Sequence, residues 1–86
     1  MRHENVPLVR LRAVGGLKRY LGGEDERSLP LEKGARLADL VFQSGVPPGE
    51  LGFALRNGTR ARPEDILEDG DMVEIFPVAG GGESKT

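Results

Sequence analysis

The 86-residue sequence contains no cysteine and a single histidine, His3. The absence of cysteine excludes disulfide bonds, thiolate metal sites and a cysteine nucleophile. One histidine cannot by itself build a histidine metal site. No constellation of acid, base and nucleophile stands out, so the chain is not expected to be an enzyme, and no metal site is predicted.

Long apolar runs and concentrated charge are also missing. No apolar run approaches the roughly 18 residues that a membrane span requires, and residues 1–5 lack the apolar stretch of a signal peptide. We therefore expect a cytoplasmic protein with no membrane partner. The 12 basic and 14 acidic residues nearly cancel and are scattered, whereas nucleic-acid binding needs basic residues gathered on one face. No nucleic-acid partner is expected.

What the sequence does contain is clear hydrophobic periodicity. Alternation of apolar and polar residues predicts strands over residues 6–13, 28–32, 53–56, 59–62 and 72–78. The main helix is predicted over residues 35–44, with Gly45 where a left-handed C-terminal cap is favoured. Leu17, Tyr20 and Leu21 have i, i+3, i+4 spacing, which predicts a helical turn between the first two strands.

Three short segments predict turns. Asn57-Gly58 between two strand-like runs predicts a hairpin, because both residues tolerate positive φ. Asp69-Gly70-Asp71 is interpreted as a tight turn and not as a pair of metal ligands, since acidic residues around a glycine are typical of turns. Pro63 starts another turn, and Ile66 and Leu67 are expected to pack into the core below it.

The element order predicts the fold class. One helix must cover one apolar face of the sheet, because neither layer can bury its apolar side alone. We therefore predict an α+β domain with a mixed sheet of about five strands packed on one main helix. The predicted core residues are Val9, Leu11, Leu37, Leu40, Val41, Val73 and Ile75.

The segment from Leu67 to Gly81, L-E-D-G-D-M-V-E-I-F-P-V-A-G-G, resembles the C-terminal signature of the ThiS/MoaD sulfur-carrier family. In that family a D-G-D turn leads into an apolar strand, a proline-containing segment and two glycines. The resemblance covers residues 6–81 and implies a ubiquitin-like β-grasp fold, in which the first and last strands pair in parallel at the sheet centre. Residues 1–79 are then expected to form the β-grasp domain, and residues 80–86 a flexible glycine-rich tail.

The resemblance also implies a function. Members of the family carry sulfur as a C-terminal thiocarboxylate for cofactor biosynthesis, of the molybdopterin or thiamin type. An E1-like enzyme adenylates the terminal carboxylate with ATP that the enzyme binds, so no cofactor is expected on this chain, which also lacks a nucleotide-binding loop motif. Residue-by-residue matching makes Gly81 the acylated position and Gly80 its partner. Glycines suit a narrow channel because their backbone can approach phosphate closely.

One departure from the family pattern lies after Gly81. In the commonest members the second glycine is the last residue, whereas Gly82 and residues 83–86 follow here. A tail-processing protease would therefore have to act first, and a cut after Gly82 would leave Gly81-Gly82 as the terminal pair. A sulfur-acceptor synthase is a further expected partner. Two alternatives stay open: a ubiquitin-like protein modifier, and a non-covalent β-grasp interaction module.

The last strand also suggests where a partner would dock. Met72 and Phe76 alternate with Val73 and Ile75, so they are expected on the outer face of the sheet. Exposed apolar groups beside a tail suit docking to a partner. Met72, Phe76 and the adjacent Pro77 are therefore candidate docking residues. The alternatives are that Phe76 packs under a loop or that the strand bends at Pro77.

Overall fold

The computed structural model describes residues 6–78 and contains five strands, one α-helix and two 3₁₀ helices. In chain order the elements are β1 (Leu8–Ala13), a first 3₁₀ helix (Gly15–Leu21), β2 (Glu26–Pro30), α1 (Leu37–Ser44), a second 3₁₀ helix (Pro48–Glu50), β3 (Leu51–Arg56), β4 (Thr59–Ala61) and β5 (Met72–Pro77). The predicted helical turn between the first two strands is therefore the first 3₁₀ helix.

The five strands form one mixed sheet in the order β2-β1-β5-β3-β4. The first and last strands lie side by side in parallel, with Leu11 opposite Val73, and the other neighbours are antiparallel. The α+β class and the parallel central pair are thus confirmed. Because β5 lies between β1 and β3, it is held along both of its edges.

Helix α1 is bounded by two local signals. At its start the backbone N–H of Arg36 donates to the Asp39 carboxylate at 2.8 Å, and at its end Gly45 adopts a left-handed conformation with φ of 86°. The helix begins two residues later than predicted, because Arg36 is still extended and forms an isolated bridge with Ile66. No helix within residues 6–78 is long and apolar enough to cross a membrane.

The core lies between α1 and one face of the sheet. All seven predicted core residues are buried, none with more than 7% of its surface exposed. The first 3₁₀ helix adds Leu17 and Leu21, and the loop before the last turn adds Leu67. Burial of large aliphatic side chains such as these is the main favourable contribution to folding.

The predicted hairpin is confirmed, but the separate expectation that Ile66 packs into the core was wrong. Asn57 and Gly58 have φ of 51° and 87° and join β3 to β4. Leu67 is buried, whereas Ile66 is 49% exposed. Ile66 is extended where it bridges Arg36, and successive residues of an extended chain point to opposite sides. Only one of the two side chains can therefore face the core.

Strand β2 begins at Glu26, two residues earlier than predicted, and ends at Pro30. Its limits follow its partner, since Glu26 lies opposite Arg12 and Pro30 opposite Leu8 of β1. Glu26 also binds Arg10 across the strands at 2.7 Å. Cross-strand pairing thus extends the strand beyond the limits that local alternation suggests.

Candidate functional site

The candidate site begins where β5 leaves the Asp69-Gly70-Asp71 turn. The Asp69 carboxylate accepts the backbone N–H of Leu8 at 2.8 Å, which ties the turn to β1. Gly70 has φ of 88°, a conformation that favours glycine. The predicted turn is therefore confirmed, and both carboxylates accept protein hydrogen bonds. Within residues 6–78 no group of three potential metal ligands occurs.

Asp71 is the one charged residue in the buried set of residues 6–78, with 7% of its surface exposed. Its carboxylate accepts hydrogen bonds from Arg56 at 2.8 Å, Asn57 at 2.9 Å and the backbone N–H of Glu68 at 2.8 Å. Burial by itself raises the pKa of Asp71, but the bonds from Glu68, Asn57 and Arg56 outweigh it and lower the pKa below 3.8. Asp71 therefore anchors the start of β5 to the β3–β4 hairpin.

The outer face of the sheet carries an aromatic pair near the end of β5. Phe76 lies opposite Phe53 of β3, and the two rings stack with centroids 4.5 Å apart and planes 5° from parallel. The Arg60 guanidinium lies 4.7 Å from the Phe53 ring centroid, a cation–π arrangement. We call Phe53, Phe76 and Arg60 the aromatic patch. Phe76 therefore packs on a neighbouring strand and not under a loop.

The three predicted docking residues do not all lie in one place. Met72 and Phe76 are on the outer face and half-buried, opposite the fully buried Val73 and Ile75. Pro77 instead lies near the first 3₁₀ helix, where a Cβ added at Gly15 would be 3.5 Å from its Cγ. The outward orientation of Met72 and Phe76 is as predicted, and the docking role stays a prediction.

Beyond Phe76 the chain leaves the sheet between the two 3₁₀ helices. The backbone N–H of Val78 donates to the Glu50 carbonyl at 3.3 Å. The Glu50 carboxylate accepts from Arg19 at 2.9 Å and from the Tyr20 hydroxyl at 2.8 Å. A cleft of about 270 Å³ lies beside Pro77 and Val78. The tail residues Gly80, Gly81 and Gly82 lie outside the described residues, so the flexibility of the tail stays a prediction.

A larger apolar groove of about 710 Å³ lies between α1 and the β3–β4 edge. Phe42 of α1 contributes to its wall and is 89% exposed. Arg60 is the one titratable side chain that lines the groove within residues 6–78. The groove is therefore lined mainly by apolar side chains.

Comparison with solved structures identifies the class of fold. A Pyrococcus furiosus protein described as subunit 1 of a molybdopterin converting factor is 25% identical, with a TM-score of 0.71 over 83% of this chain and 97% of that one. Small archaeal modifier protein 1 from Methanosarcina acetivorans (19% identical, TM-score 0.70) covers 92% of this chain and 100% of its own. Urm1 from Trypanosoma brucei (21% identical, TM-score 0.62) covers 93% and 100%.

These neighbours and the sheet order define a ubiquitin-like β-grasp protein, similar to ubiquitin-like modifiers and to a molybdopterin converting factor subunit. The resemblance to the ThiS/MoaD type is confirmed. The model of the Mut7-C ubiquitin family matches residues 6–81, and the chain belongs to that family. The match includes Gly80 and Gly81.

Two residues of the candidate site were not predicted from the sequence. Phe53 is not among the predicted docking residues, because its contact with Phe76 depends on the register of β3 against β5. The other residue is Gly52. A glycine beside strand residues often marks a bulge or a close backbone approach, and this signal was available in the sequence.

Proposed function

We propose that the chain is a sulfur carrier protein whose Gly81 carboxylate is activated by an E1-like enzyme and converted to a thiocarboxylate. In the first step a carboxylate oxygen attacks the α-phosphorus of ATP in the partner, and pyrophosphate leaves. In the second step sulfide attacks the carbonyl carbon, and AMP leaves with its bonding electron pair. The product serves cofactor biosynthesis of the molybdopterin or thiamin type, through a sulfur-acceptor synthase.

The observation that supports this proposal most is the route of β5. This central strand carries the chain past the aromatic patch and out between the two 3₁₀ helices. In the sequence Gly81 follows Val78 by only three residues. At roughly 3.3–3.6 Å per residue, those three span at most about 10 Å. A partner that docks on the outer face near Phe76 is therefore within reach of the terminal carboxylate.

The patch and the charge of the surrounding face suit a protein partner. Phe76, Phe53 and Arg60 are of residue types that are enriched at protein interfaces. On the same face Arg12 lies 3.8 Å from Glu74, so a polar pair lies near the apolar one, as at the rim of an interface. Docking there would place the tail, and no catalytic group is required on this chain.

Gly81 is followed by Gly82 and residues 83–86, and while they are attached its carbonyl is part of an amide. An amide cannot be adenylated, so we propose that a protease cuts after Gly81, or after Gly82. In the described part of the chain all core residues lie within residues 9–75, so a chain that ends at Gly81 keeps them.

The test compares two chains with the cognate E1-like enzyme, ATP and sulfide. The chain ending at Gly81 should support pyrophosphate exchange, and its mass should rise by the replacement of one oxygen by sulfur. The chain retaining residues 82–86 should do neither. A chain ending at Gly82 decides between the two cut sites. Equal activation with and without residues 82–86 would show that processing is not needed.

A second candidate, a protein modifier, is favoured by the likeness to small archaeal modifier protein 1. There the same adenylated carboxylate would be attacked by a lysine amine and would form an isopeptide bond. Expression of the Gly81-ended chain in the native host distinguishes the two, because conjugates appear as higher-mass species that contain this chain. If the cognate enzyme activates no form of the chain, it is a non-covalent interaction module instead.

A further inference from the structure

Gly52 lies at an irregularity between β3 and β5. Its neighbours in sequence are both paired, Leu51 with Pro77 and Phe53 with Phe76, and the register shifts between them. Between these two pairs the register moves by two residues along β3 but by one residue along β5, which is the pattern of a β-bulge. Gly52 is the extra residue of this bulge, at the point where β5 ends.

The backbone of β5 passes unusually close to Gly52. A Cβ added at Gly52 would lie 2.5 Å from the carbonyl oxygen of Pro77, 2.8 Å from its carbonyl carbon and 3.0 Å from the Cα of Val78. All three are backbone atoms, which cannot rotate aside as the end of a flexible side chain can. Any residue other than glycine must therefore disturb the close packing of β3 on the Pro77–Val78 peptide.

The same peptide is also held by the second 3₁₀ helix. Val78 donates its N–H to the carbonyl of Glu50, and the Glu50 side chain is itself bound by Arg19 and Tyr20. The peptide between Pro77 and Val78 is thus confined by close packing at Gly52 and by a hydrogen bond to Glu50. These two contacts set the direction in which the chain leaves the sheet.

We propose that Gly52 is a positioning residue that aims the C-terminal tail, an inference that rests on the proposed function. Gly81 follows Val78 by three positions in the sequence, so the place and direction in which the chain leaves the sheet at the Pro77–Val78 peptide limit the points that the carboxylate can reach. Misplacing a reacting group by about 1 Å can lower a rate about 100-fold. The residue acts on activation without touching ATP or the reacting atoms.

The test uses Gly52→Ala in the chain ending at Gly81, with Gly49→Ala as the matched control. Gly49 lies three residues away, has no positive φ and has no atom within 4 Å of an added Cβ. With the cognate E1-like enzyme, Gly52→Ala should lower kcat of pyrophosphate exchange about 10- to 100-fold. The KM should stay within about twofold because the docking surface is unchanged, and Gly49→Ala should match the parent chain.

The split between kcat and KM decides the outcome, since a merely structural role would lower the folded fraction and not the kcat of folded protein. A Gly52→Ala chain that keeps the parent kcat overturns the proposal, as does an effect on KM alone. If circular dichroism shows Gly52→Ala to be unfolded, Val78→Pro replaces it, because proline removes the N–H that donates to Glu50. Val78→Pro should show the same fall in kcat, and an unchanged kcat overturns the proposal.

A second readout needs no partner enzyme and separates this inference from the proposed function. Amide hydrogen exchange at Val78 should be at least tenfold faster in Gly52→Ala than in Gly49→Ala, because the bond to Glu50 is displaced. Equal protection in the two variants overturns the positioning role. If the parent chain is not activated at all, the carrier proposal fails, and the exchange measurement still decides whether Gly52 holds the strand end.

Discussion

Ile75 and Phe76 are consecutive residues of β5, yet they face surfaces of opposite character. Ile75 points to the inner face and is completely buried in the core. Phe76 points to the outer face, stays half-buried and stacks on Phe53. The inner face is built from aliphatic side chains covered by α1 and the first 3₁₀ helix. The outer face carries ion pairs and the aromatic patch.

The difference separates stability from recognition along a single strand. An inner-face side chain is removed from water by folding itself, so its loss lowers the free energy of unfolding. An outer-face aromatic side chain keeps apolar surface that only a partner would bury, so its loss should mainly weaken binding. Because the two sets alternate residue by residue, substitutions in β5 can test each role separately.

The largest effect on stability is expected at Ile75. Ile75→Ala should lower the free energy of unfolding by about 2–5 kcal/mol, because it leaves a cavity between the sheet and α1. Urea denaturation followed by circular dichroism measures this change. Phe42→Ala is the control, since Phe42 is 89% exposed and should change stability by less than about 0.5 kcal/mol. If Ile75→Ala and Phe42→Ala lower the free energy of unfolding equally, burial does not distinguish these two positions.

An intermediate effect is expected at Asp71, the buried charge at the start of β5. Asp71→Ala should lower the free energy of unfolding by about 1–3 kcal/mol, because Arg56, Asn57 and the Glu68 N–H lose their acceptor. Glu64→Ala is the control, because the Glu64 side chain is exposed and lies 3.8 Å from Arg62. A loss no larger than that of the control would contradict the anchoring role.

The pH dependence of stability gives the same residue a second test. In the folded state the pKa of Asp71 lies below 3.8, the ordinary value for an aspartate side chain. The unfolded state therefore binds a proton at Asp71 more readily than the folded state does. Its contribution is therefore present above that ordinary value and is lost as pH falls through the lower folded pKa. Asp71→Asn should lose stability less steeply than the parent as the pH falls below 3.8. If urea denaturation shows that both proteins lose stability equally steeply at acid pH, the pKa shift assigned to Asp71 is contradicted.

The smallest effect on stability, and the largest on recognition, is expected at Phe76. Phe76→Ala should lower the free energy of unfolding by about 1 kcal/mol through loss of the ring pair. In the chain ending at Gly81 it should raise the KM for the E1-like enzyme about tenfold, as for an interface hot spot, with kcat unchanged.

The matched control for Phe76 is Leu8→Ala. Leu8 is also exposed on the outer face, but it lies at the start of β1, whereas Phe76 lies near the far end of the parallel neighbour β5, beyond the Ala13–Ile75 pair. Its substitution should leave the KM unchanged. If both variants, or neither, raise the KM, the partner does not dock at the aromatic patch.

Much of the fold followed from the sequence because local rules govern it. The alternation of apolar residues identified all seven predicted core residues, and Asn57-Gly58 and Gly45 marked a hairpin and a helix end by their tolerance of positive φ. These features depend on contacts between residues near in sequence or on the period of side-chain direction. The sequence by itself thus determined the order of the helix and strands, the buried faces of β1 and β5 and the D-G-D turn.

The tertiary structure alone decided which distant residues meet. The stacking of Phe53 on Phe76, the hydrogen bonds from Arg56 and Asn57 to Asp71 and the close approach of Gly52 to Pro77 all depend on how β3 is aligned with β5. A bulge shifts that alignment by one residue, and local propensity does not specify where it falls. The exposed position of Ile66 has the same origin, because its bridge to Arg36 joins segments 30 residues apart in the sequence.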